Sequence, residues 1–211
     1  MSSMVRPADR HEPGAPDEVL LARARAGDER AFAAIVARYE ARVAATAIGM
    51  LGPGDEAEDV GQETFIRLYR SLDRFRGDAS LATYLTRIAM NLSLTALRRR
   101  RSWFARFVPA GTGRGMHGSV EHRPGPGVEA MPAGASGNAL ESLLREERRE
   151  RVRAALEGLK PEHRAVVVLR WIEGLSTREA ADALGVPEGT VMSRLSRAMD
   201  RLGTALEDDD A

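Results

Sequence analysis

No cysteine occurs among the 211 residues, which excludes a disulfide framework, a thiolate zinc site and a cysteine nucleophile, and leaves stability to packing alone. Aromatic residues make up only 5% of the chain, and Lys160 is its single lysine, so nearly every cation is an arginine. No apolar run approaches the roughly 18 residues of a membrane span. The opening MSSMVRPADRHEPGAPDE carries charges and prolines where a secretory peptide needs its apolar segment. The expectation is a soluble, cytoplasmic chain without membrane insertion, long enough for one large domain or two small ones.

Net charge is also missing, because 31 basic residues balance 31 acidic ones. The balance hides a sharp asymmetry. Residues 12–63 hold 11 acids against 5 arginines, a net of −6, and residues 64–106 hold 10 arginines against 2 aspartates, a net of +8. A basic stripe suits a polyanion and an acidic neighbour suits a basic protein partner, so one chain with both can bridge the two. Ordinary solvated helix faces are the alternative.

Apolar residues recur at spacings of 3 and 4, with no alternating strand signal. A short helix is predicted over Asp17 to Arg25. Asp28 caps a second helix through Phe32, Ile35, Val36, Tyr39, Val43, Ala47 and Met50, which Gly52-Pro53-Gly54 ends. Asp55 and Glu58 have the spacing of a capping box for a third, with Val60, Phe65, Leu68 and Leu72 inward. After the break RFRGDAS, Arg74 to Ser80, a long helix is expected to bury Leu81, Leu85, Ile88 and Leu92 before running into Arg98 to Arg101.

Between Phe107 and Asn138, 12 of 32 residues are Gly or Pro, the composition of a flexible linker. Beyond it, Asn138 and Glu141 are spaced to cap a helix that stops near Gly158, and a helix from Pro161 to Glu173 follows. Ser176 and Glu179 form a second capping box for Thr177 to Leu184; Gly185 makes the turn, and Pro187 opens a last helix with Val191, Leu195, Ala198 and Leu202 inside. A short helix, a glycine turn and a longer helix make a helix-turn-helix. The fold expected is all-α: a flexible segment 1–15, a helical domain 16–106, a flexible linker 107–138, a helix-turn-helix domain 139–205 and an acidic tail 206–211.

Three outward faces carry side chains suited to binding. On the last helix these are Met192, Ser193, Arg194, Ser196 and Arg197; serine hydroxyls and arginine forks can meet base edges, and Arg194 can hold a phosphate. On the long helix Tyr84, Arg87, Asn91, Thr95 and Arg98 share a stripe offering stacking, an amide and cations. Near the start of the third helix Asp59, Gln62 and Glu63 share a face. That face has no neighbouring histidine, nucleophile or phosphate loop, so protein docking suits it better than acid-base or metal chemistry. The four histidines, His11, His117, His122 and His163, lack metal-ligand spacing and are assigned no chemistry.

These residues resemble the extracytoplasmic-function sigma factors, the small two-domain group of bacterial RNA polymerase sigma subunits. EAEDVGQETF, Glu56 to Phe65, is similar to the family's core-binding motif, and Phe75 to Arg100 is similar to its promoter-melting helix. Leu156 to Leu202 is similar to its reader of the minus-thirty-five element. The resemblance implies that Asp59, Gln62 and Glu63 sit on the polymerase clamp. It also implies that the loop Arg76, Gly77, Asp78 and Ser80 holds a base flipped from the non-template strand, and that Tyr84, Arg87, Asn91 and Arg98 read and hold the minus-ten element. Stabilising an extruded base, which costs a few kcal/mol to unstack, opens DNA without ATP. Ser193, Ser196 and Arg197 would meet bases of the upstream element, with Met192 and Arg194 beside them. The implied partners are core RNA polymerase (the clamp of the largest subunit and the flap), promoter DNA and an anti-sigma factor, with no cofactor and no catalysis. Tyr84 stands where the family usually has Trp, Thr95 where it has Asp, and Met192 where it has a basic residue. The alternatives are a duplex-DNA regulator using the helix-turn-helix without polymerase and, more remotely, a metal-dependent nuclease using the carboxylates of Asp55 to Glu63.

Overall fold

A computed structural model describes residues 14–77, 79–107 and 136–207. Asp78, most of the expected linker, His11, His117 and His122 lie outside the described residues, as does Asp208 to Ala211 at the chain end. Eight α-helices are described: α1 Asp17–Arg25, α2 Glu29–Leu51, α3 Asp55–Ser71, α4 Leu81–Phe107, α5 Ser136–Glu157, α6 Pro161–Val167, α7 Thr177–Leu184 and α8 Glu188–Glu207. A 3-10 turn, Leu72–Arg74, follows α3, and a π-helical segment, Val168–Ile172, continues α6. Among the described residues there is no strand, as the 3 and 4 spacing predicts.

Most helix ends follow from side-chain chemistry. Asp28 accepts bonds from the amides of Arg30 and Ala31 and opens α2. Ser176 accepts from the Glu179 amide while Glu179 accepts from the Ser176 amide, so both otherwise orphaned donors are used. Hydrogen bonds from the Ser176 side chain and backbone hold the Glu179 carboxyl below its ordinary range. Gly185 then takes φ +64°, ψ 38°, a left-handed cap that residues with a Cβ rarely adopt. The capping box expected from Asp55 and Glu58 does not form. Gly54 is the cap residue, and both acids lie in the first turn of α3, where they face the positive end of the helix dipole instead. Helix α5 starts at Ser136, two residues before the expected cap at Asn138.

Helices α1 to α4 form a bundle around Ile35, Val43, Met50, Leu68 and Leu85, all fully buried. Arg38 and the Tyr39 hydroxyl both bond to Asp17, fastening α1 onto α2. Burial, reinforced by that carboxylate, pushes the Tyr39 phenol up to about 12. Helix α4 buries more than the single row expected. Leu81, Leu85, Ala89, Met90 and Leu97 are buried with Thr86 and Ser93, whereas Ile88 and Leu92 are only half-buried. The small residues are covered because α4 is packed on two sides, by α2 and α3 and by α6 and α7.

The two sets of helices that the sequence separates by a linker therefore lie directly against each other. One buried cluster runs from α1 through α4 into Ala165, Val166, Val168, Leu169, Leu175, Ala180 and Val191. A smaller cluster of Leu159, Val167 and Ala198, flanked by Leu156, Leu195 and Leu202, holds α6 on α8. Leu85 sits at 0% exposure where α4 meets the bundle, so Leu85→Ala should cost about 2–5 kcal/mol in lost transfer energy and cavity; an unfolding free energy from urea titration within about 0.5 kcal/mol of the parent chain's would contradict this packing.

Candidate nucleic-acid interface

The acidic face stands on the outer side of α3. Val60, Thr64 and Leu68 turn inward, which leaves Asp59 and Gln62 exposed and Glu63 half-exposed. Glu63 accepts from Arg67 Nε at 2.9 Å one turn away, an exposed pair worth little to stability. No bond to Asp59 or Gln62 is found among the described residues. Ile66, 44% exposed, completes the stripe at i+7 from Asp59 and adds an apolar side chain one turn beyond Glu63. The apolar count assigned Ile66 no role, although its spacing from Asp59 marks it.

Helix α4 presents the second face. Arg87, Asn91, Thr95 and Arg98 are all exposed and lie opposite the buried arc, so the packing that seats the helix also aims this stripe outward. Asn91 and Arg98 are separated by about 10 Å along the axis at 1.5 Å per residue. The Thr95 hydroxyl donates back to the Asn91 backbone carbonyl at 2.8 Å, and no bond to the Asn91 side-chain amide is found among the described residues. Tyr84 is placed differently from its stripe neighbours: it is half-buried, its ring tilts against Phe75 at 4.9 Å between centroids, and its hydroxyl pairs with Ser71 Oγ at 3.0 Å. Arg76, Gly77 and Ser80 are exposed just before α4, Gly77 with φ +80°. The Ser80 hydroxyl accepts from the Thr83 amide at 3.1 Å and so caps the helix that carries the stripe.

The third face belongs to α8. Val191 and Ala198 are buried, so Met192, Ser193, Ser196 and Arg197 are exposed and Arg194 is half-exposed. The capping box and the left-handed Gly185 fix the angle between α7 and α8, and hence the presentation of these side chains. Beside them lies a cavity of about 510 Å³ lined by Lys160, Glu162, His163, Arg194, Arg197, Asp200 and Arg201. Four cations outweigh two acids there, which suits an anion. Burial keeps His163 below its ordinary value, and its Nδ1 has no hydrogen-bond partner among the described residues. From the sequence alone Lys160 and Arg201 are given no binding role; for Arg201 the one-turn spacing from Arg197 is the available signal.

Among the described residues no group of three His, Asp or Glu side chains is placed to hold a metal ion, and no helix is long and apolar enough to cross a membrane. Three outward faces, two cationic and one acidic, thus stand on a single helical chain.

Comparison with known proteins matches the same segments. Residues 35–102 match the Sigma-70 region 2 family and residues 149–202 match Sigma-70, region 4. The ECF RNA polymerase sigma-E factor of Escherichia coli (strain K12) is 34% identical over 203 residues, covering 90% of this chain and 94% of its own. The RNA polymerase sigma-H factor of Pseudomonas aeruginosa is 31% identical over 195 residues with the same coverage. Among solved structures, CnrH in complex with the cytosolic domain of CnrY is similar with a TM-score of 0.60 at 29% identity, covering 92% of this chain and 99% of CnrH. With two family segments in order along more than half of its length, and relatives that match it nearly end to end, this chain belongs to the extracytoplasmic-function sigma factors of bacterial RNA polymerase.

Proposed function

We propose that the chain docks core RNA polymerase through Asp59, Gln62, Glu63 and Ile66, and reads two promoter elements with its two cationic faces. The observation that carries this is the opposition of charge on adjoining helices: an outward acidic face on α3 whose Asp59 and Gln62 have no side-chain partner among the described residues, beside an outward Arg87, Asn91 and Arg98 stripe on α4. A carboxylate left without an internal partner on a rigid helix is prepared for an external cation, and free guanidinium groups are prepared for phosphates.

On the minus-ten side, Arg87 and Arg98 neutralise backbone while Asn91 meets an unpaired base edge, with Arg76, Gly77, Asp78 and Ser80 contributing the loop that holds an extruded base. Tyr84, fixed by Ser71 and Phe75, acts more as a stiff edge to this surface than as a free stacking platform. On the minus-thirty-five side, Met192, Ser193, Ser196 and Arg197 enter the groove. Arg194, Lys160 and Arg201, around the cavity, take backbone phosphates. The chain acts by binding, in the bacterial cytoplasm, without a cofactor. A protein that covers these faces, an anti-sigma factor, is a third partner; CnrH, the similar protein, was solved with a protein domain bound.

Run-off transcription with purified core polymerase and promoter-bearing DNA tests the reading: specific transcripts should require this chain, and site-specific DNA binding that persists unchanged without polymerase would favour the regulator alternative. Asp59→Arg should remove co-elution with core polymerase while leaving the helical circular dichroism intact; undiminished co-elution would detach this face from docking. Two arginines should separate by signature. Arg197→Ala should cost about 1–3 kcal/mol on the cognate upstream element and relax its specificity, whereas Arg201→Ala should weaken all sequences alike and lower the salt slope by about 1. Equal loss on every sequence for both variants would remove the base contact.

A further inference from the structure

The seam between the two halves has an unusual centre. Glu173, at the end of the π-helical segment, has a side chain only 1% exposed, and every hydrogen bond to its carboxylate comes from the other half of the chain. Arg42 Nε donates to Oε2 at 2.6 Å, Thr46 Oγ1 to Oε1 at 2.6 Å, and Thr86 Oγ1 to Oε2 at 3.1 Å. Arg42 Nη2 also donates to the Glu173 backbone carbonyl at 2.9 Å. The Thr46 hydroxyl lies 3.1 Å from the Arg42 carbonyl as well, but its one proton goes to the nearer carboxylate. Thus α2 and α4 together form a cradle that fits one carboxylate.

Two further contacts surround the cradle. Gly49, facing the seam from α2, has Ile172 Cδ1 and Val168 Cγ2 each 3.1 Å from where a Cβ would stand, and nothing of its own half that close. Glycine near the end of a helix sacrifices helix propensity; here it lets the π-helical segment approach. Arg164, buried on α6, donates to the Met50 carbonyl at 2.6 Å and to the Glu157 carbonyl, so it also spans the halves. The π-helical turn, closed by the Glu173 amide on the Val168 carbonyl, presents Val168, Ile172 and Glu173 together to α2.

We infer that the Val168 to Glu173 segment is the occupant of an intramolecular docking surface on α2 and α4, and that Glu173 in its Arg42, Thr46 and Thr86 cradle latches the free chain in a closed form. This inference rests on the sigma-factor reading for its consequence. The two promoter elements are named some 25 base pairs apart, about 85 Å of duplex at 3.4 Å per pair. A packed body of this chain length is about 40 Å across. With α7 lying on α4, the Asn91 and Arg197 faces cannot both reach their elements, so the latch must release before the chain can engage a whole promoter. Opening removes all three donors from the carboxylate at once and returns it to water, which makes release a single switch-like event.

The absence of cysteine permits a direct test on the full chain. Arg70→Cys and Asp182→Cys, both exposed and one in each half, take a fluorophore pair whose transfer efficiency reports the separation. The free parent chain should show one short-distance population, and core polymerase should convert it to a long one. Glu173→Ala should lower the closed-to-open ratio by about tenfold or more, since it empties a buried, fully bonded site, and should tighten apparent polymerase affinity as the closed fraction falls. Gly49→Leu, a wedge touching only the facing half, and Thr86→Val, which removes one donor at constant shape, should shift it in the same direction; they carry the test if Glu173→Ala loses helical signal. A parent chain already open, variants with the parent's distance, or opened variants with no gain in polymerase affinity would each overturn the latch. The sigma-factor reading is judged separately by run-off transcription with the parent chain: transcripts with an unshifted distance sink the latch alone, and no transcripts sink that reading while the distance still judges the closure.

Discussion

An α-helix that buries one arc must leave the opposite arc to something else, and in this chain that constraint sets nearly everything. Helix α4 is seated by Leu81, Leu85, Ala89, Met90 and Leu97, and the same seating turns Arg87, Asn91 and Arg98 away from the core. Helix α3 buries Val60, Thr64 and Leu68 and so presents Asp59, Gln62 and Ile66. Helix α8 buries Val191 and Ala198 and presents Ser193, Ser196 and Arg197. The outward faces need no scaffold of their own. They are what remains of each amphipathic helix once the core is satisfied, held rigid because the buried side is close-packed.

Charge then divides the labour. Acids gathered in the first turn of α3, namely Asp55, Glu56 and Glu58, are favoured there by the helix dipole, so the acidic face begins as a local electrostatic preference. The arginine run at Arg98 to Arg101 lies toward the end of α4, where the dipole favours cations, though several residues before its last turn. Local preferences and partner chemistry point the same way. That agreement explains how a chain of zero net charge carries separate acidic and cationic surfaces without one neutralising the other. The ion pair that joins them, Arg100 with Glu56, is long at 3.9 Å and half-exposed at both ends, too weak to collapse the two faces together.

What was legible in the sequence was local. The range Asp17–Arg25, the Asp28 cap, the Ser176 and Glu179 box and the turn at Gly185 depend on residues within one helical turn of each other, and all appear as read. The outward faces were legible for the same reason, since periodicity alone selects them. Errors arose where a second neighbour intervened. Ile88 and Leu92 fit a single buried row, but α4 has helices on two sides, so the buried arc turns toward Thr86, Ala89, Met90 and Ser93. Asp55 lost its capping role because Gly54 adopts φ +137° and takes the cap position itself. Nothing in the spacing marks the π-helical turn, the close approach at Gly49 or the destination of Glu173, because each depends on chain segments far apart in sequence.

The composition of the seam bears on whether the halves are built to stay together. A permanent interface between helices is generally apolar, because removing a charge from water costs several kcal/mol that mutual attraction repays only with near-complete hydrogen bonding. Glu173 meets that condition, with donors on both carboxylate oxygens, but only in one register of the two halves. A slide of a few ångströms would keep much of the apolar contact of Val168 and Ile172 while stranding the carboxylate, so the polar centre penalises intermediate arrangements more than it strengthens the closed one. Arg42 adds to the asymmetry, for its side chain is 37% exposed and can exchange Glu173 for water at little cost once the seam begins to part. Such a contact favours two end states, fully docked and fully separated, which is the behaviour the proposed latch requires.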